Sequence, residues 1–121
     1  MMEIRMARGD LETRTIRLKT KSGEPYGLYP NDIYFTVKKN ASDRNYIFQK
    51  RLSDDTIIYV DTGEYRFSIL PEDTDGLPFG TYEFDIEIVK HDTTNVKKTF
   101  CGTLILSKEV THHYNEVSDN G

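Results

Sequence analysis

Apolar and polar residues alternate along most of this chain, most strictly between Glu64 and Ile88. Tyr65, Phe67 and Ile69 alternate with Arg66 and Ser68, and Tyr82, Phe84, Ile86 and Ile88 alternate with Glu83, Asp85 and Glu87. Successive side chains of a strand point to opposite faces, so each run predicts a strand with one face buried and the other in water. Between the runs, Pro71, Asp73, Asp75, Gly76, Pro78 and Gly80 supply turn chemistry over a connection longer than a tight hairpin needs. That length predicts a crossing from one sheet to another.

The rest of the chain follows the same grammar. Ile16 and Leu18 oppose Arg17 and Lys19 in a first strand at a sheet edge, within 11–20, and Ile33, Phe35 and Val37 oppose Tyr34, Thr36 and Lys38 in a strand over 33–39. The stretch 46–52 predicts a strand whose far end, Lys50 and Arg51, emerges into solvent. A short strand spans 56–61, and Thr62-Gly63 turns the chain tightly into the next. Residues 90–95 read as a hairpin connection. The final strand, from 96 to 110, places Phe100, Gly102, Leu104 and Leu106 on one face, with Gly102 marking a bulge or a close backbone approach. No interior segment holds a helical period. About seven antiparallel strands separated by turns predict an all-β, immunoglobulin-like β-sandwich. Tyr82 then takes a tyrosine-corner position, its ring in the core and its hydroxyl on corner backbone. The expected organisation is an N-terminal arm over 1–10, in which Ile4 and Met6 could alternate inward, a sandwich domain over 11–110, and a flexible C-terminal tail over 111–121.

Composition narrows the classes of function. A chain of 121 residues with 36% hydrophobic and 30% charged residues is long enough to bury a single core. Sixteen basic against twenty acidic residues give a net charge of −4, which argues against a nucleic-acid binder that needs a dense positive surface. The single cysteine, Cys101, lies in a predicted strand beside Phe100 and is expected as a small buried thiol. No run of apolar residues is long enough to span a bilayer, so no membrane partner is expected, and the first ten residues lack the apolar core of a secretion signal. Synthesis in a cytoplasm is the corresponding expectation.

Candidate chemistry is sparse. His112 and His113 are adjacent and point apart on any regular backbone, and no second cluster gives zinc-like spacing. Glu72, Asp73 and Asp75 lack the spacing of a dedicated calcium loop and read as a solvated turn. Glu83, Asp85 and Glu87 read as a polar outer face. The Arg8-Gly9-Asp10 triplet reads as a turn, and the Asn40-Ala41-Ser42 sequon as idle without a secretory route. Catalytic, cofactor-binding and metal residues are therefore assigned to none, and no enzyme activity is expected. Tyr26, Tyr29 and Tyr34 are the tentative ligand-binding residues: aromatic rings in or beside a Gly- and Pro-rich loop either cover the sandwich as a lid or stand out as a stacking platform. Tyr59 is a further member of such a platform.

The order of segments RGDLETRTIRL, DIYFTVKK, IFQKR, EYRFSILPEDTDGLPFGTYEFDIEI and KKTFCGTLILSKEVTHHYNE resembles the amino-terminal immunoglobulin-like domain of the phage baseplate upper protein family, found in phages and prophages of Gram-positive bacteria. The resemblance runs from Arg8 to Glu116, and PEDT, GTYEFDIEI and EVTHHYNE are its most specific pieces. It implies a virion structural or assembly module, associated with the tail or baseplate, or a head decoration or accessory protein. Such a module acts by protein–protein association through sheet edges, with other tail or baseplate proteins or further copies of itself as partners. The alternative is a carbohydrate- or host-surface-binding module that uses its exposed tyrosines.

Overall fold

A computed structural model describes residues 2–19, 22–24, 30–90 and 96–108. The elements run β1 (Met2–Ala7), β2 (Glu12–Arg17), β3 (Asp32–Lys38), β4 (Phe48–Arg51), β5 (Ile57–Asp61), β6 (Glu64–Ile69), α1 (Pro71–Thr74), β7 (Gly80–Lys90) and β8 (Val96–Ser107). Two sheets pack face to face as an all-β sandwich. The larger has the order β1-β8-β7-β3-β4 and the smaller β2-β6-β5. All pairings are antiparallel except β1 with β8, where Met2 to Ala7 run parallel to Gly102 to Ser107.

The alternating residues meet between the sheets. Ile33, Phe35 and Val37 of β3, Tyr82, Phe84, Ile86 and Ile88 of β7, and Leu104 and Leu106 of β8 are buried against Ile16, Ile57, Tyr65, Phe67 and Ile69. Phe35 anchors the contact: its ring stacks on Phe67 of the other sheet at 4.3 Å and tilts against Phe84 at 5.1 Å and Phe48 at 6.2 Å. Burying one such side chain stabilises the fold by roughly 1.5–3 kcal/mol.

The long connection after β6 crosses from the smaller sheet to the larger, as the turn-rich sequence requires. It contains one turn of helix, α1, in a chain whose interior offers no helical period. Pro71 opens it, and Asp73 reaches back so that its carboxylate accepts the Leu70 N–H at 2.7 Å, while the Asp73 N–H donates to Leu70 O at 2.9 Å. Tyr82 closes the corner: its ring is buried and its hydroxyl donates to Pro78 O at 2.6 Å. Burial pushes the Tyr82 hydroxyl up from the ordinary tyrosine pKa, offset in part by Arg8.

Four expectations change. Residues 2–7, expected within an arm, are strand β1 at the edge of the larger sheet, and their inward residues Ile4 and Met6 belong to the core. Cys101 is exposed, because it lies on the outward face of β8. Phe100 has the inward parity of Leu104 yet is 46% exposed, because β8 outruns the strands that cover its other half. Lys50 points inward opposite Phe35 and is buried rather than solvated. Gly102, by contrast, is a close approach as expected. A Cβ there would stand 2.4 Å from the Phe84 ring and 2.6 Å from Met2 O, and the β7–β8 register runs through it unbroken. The hairpin segment 91–95 and the tail from 109 onward, with His112 and His113, lie outside the described residues.

Candidate interaction surface

Two ion pairs, Lys50 with Asp73 and Arg51 with Asp32, tie elements of the sandwich together. Lys50 Nζ lies 2.6 Å from Asp73 Oδ2, with both side chains largely buried, so the pair ties β4 to the corner helix. Asp32, at the start of β3, accepts from the Ser53 N–H at 3.0 Å, the Ile33 N–H at 2.9 Å and the Arg51 guanidinium at 3.0 Å. Burial pushes the Asp32 carboxyl up, but the hydrogen bonds from Arg51, Ser53 and Ile33 outweigh it and hold the group below the usual aspartate range. Asp54 is held low by the Thr56 hydroxyl, 2.5 Å away, and the Thr56 amide. The second turn, at Arg8-Gly9-Asp10, is knitted into the corner. The Arg8 guanidinium donates to Leu77 O and covers the Phe79 ring, and Gly9 N donates to the buried Thr74 hydroxyl.

The tentative ligand-binding tyrosines fare differently from one another. Tyr26 and Tyr29 lie outside the described residues. Tyr34 sits on the outer face of β3, half-buried. The Arg51 guanidinium covers its ring at 4.7 Å from the centroid and donates to its hydroxyl at 3.1 Å. Glu72 and Asp75 lie at the surface of the corner, and Asp73 serves Lys50 and the helix start. Among the described residues no group of three or more His, Cys, Asp or Glu could hold a metal ion, and no helix is long and apolar enough to cross a membrane.

Exposed apolar side chains mark the strand edges instead. β1 and β4 flank the larger sheet and β2 and β5 the smaller. On β5, Ile58 is 48% and Tyr59 50% exposed, with Val60 beside them. β8 adds an edge that the sheet order alone conceals. β1 begins to pair with it only at Gly102, so residues 96–101 have β7 on one side and no described strand on the other. Lys98, Thr99, Phe100 and Cys101 are all exposed along that stretch. Sequence reasoning missed this edge because a period-two pattern shows which residues share a face but not how far a neighbouring strand extends. The alternation of Ile4 and Met6 was the available signal for β1. No family model and no curated protein matches the chain.

Proposed function

We propose that this chain is a non-catalytic assembly module of a phage or prophage particle, associated with the tail or baseplate and attaching to other particle proteins through its sheet edges. The domain type we infer is immunoglobulin-like. Two features support that type: a five-stranded sheet opposing a three-stranded one in this strand order, and a tyrosine whose hydroxyl bonds the backbone of the inter-sheet corner. The observation that carries the function is the placement of large apolar side chains on edges that no described strand covers, Phe100 on β8 and Ile58 on β5, while Lys50 is paired with Asp73 and Asp32 with Arg51. Exposed apolar groups beside backbone that no described strand pairs suit strand addition. The resemblance of the segments around PEDT and GTYEFDIEI to the baseplate upper protein domain points the same way.

The test is to purify particles from the phage or prophage that encodes the chain and quantify it against the major tail protein by mass spectrometry. A fixed stoichiometry in intact particles is the expected result. Absence from particles, together with saturable binding on a glycan array, would replace this reading with the carbohydrate-binding one.

A further inference from the structure

We draw no further inference here: the strongest candidate, the apolar edge of the smaller sheet at Ile58, Tyr59 and Val60 of β5, carries nothing because nothing in the structure shows what covers it.

Discussion

Three residues carry costs that follow from their immediate neighbours. Tyr82 gives the corner a bond from its hydroxyl to the backbone, at 2.6 Å to Pro78 O. Tyr82→Phe keeps the ring and removes the bond, so it should destabilise the domain by about 1–2 kcal/mol in denaturant unfolding. Gly102→Ala should cost about 2–3 kcal/mol, since the new methyl meets the Phe84 ring and the fixed backbone oxygen of Met2. The same change should speed amide exchange in β1 before β7. Asp32 gives a pH dependence with a defined sign. Its carboxyl titrates lower in the folded chain than in the unfolded one, so its contribution is present above about pH 4 and is lost as the pH falls through the lowered folded value. Asp32→Asn should therefore flatten the acid limb of stability against pH, measured by thermal melts, and an unchanged limb would show that other carboxylates govern it. Tyr82 and Gly102 were both legible in the sequence, one from its place after a turn-rich corner and the other as a glycine inside a strand. The Asp32 cluster was not, because its partners come from β4 and the loop after it, and period-two patterns do not report which loop folds over which strand end.

Between elements, the corner helix and β4 are coupled by one buried ion pair. Asp73 has two duties there, as the acceptor for the Leu70 N–H and as the counter-charge of Lys50. Lys50→Met should cost about 3 kcal/mol, because it leaves a carboxylate in a largely buried site without its cation. Adding Asp73→Asn keeps an acceptor for Leu70 and removes the stranded charge, so the double variant should recover about 1–2 kcal/mol of that loss. Strict additivity in the double-mutant cycle would mean that the two groups act independently. The elements themselves were largely readable, since seven of the eight strands stand where alternation and turn residues set them. What alternation could not supply was this pair. In Tyr46 to Leu52 a lysine at an inward position reads as the solvated end of a strand, and only the fold brings Asp73 across to neutralise it. Helix α1 was equally hidden, because a single turn is too short to show a period and is held by its cap and its proline.

On the scale of the molecule, the first and last of the described strands meet in one sheet: Met2 pairs with Gly102 and Ala7 with Ser107, so the β1–β8 ladder closes a loop that contains every other described element. Closing so long a loop is entropically costly, and the ladder is repaid by Ile4 and Met6, both buried in the common core. If β1 were an arm, removing residues 1–7 would leave the melting transition nearly unchanged and affect only association. Its place in the core implies the opposite. Losing two buried side chains at roughly 1.5–3 kcal/mol each removes about 3–6 kcal/mol, a large share of the 5–15 kcal/mol typical of a domain. The truncated chain should melt at least about 10 °C lower by circular dichroism. It should also expose β8 along its whole length, from 96 to 107, and so aggregate on heating where the parent chain does not. Replacing Ile4 and Met6 together by Ala in the intact chain separates the two effects. Stability should fall nearly as far, while the backbone of β1 still covers the lower half of β8 and keeps the melted edge from growing. Full stability in either variant would return residues 2–7 to the role of an arm and leave Phe100 as one exposed residue among several on an edge open from end to end.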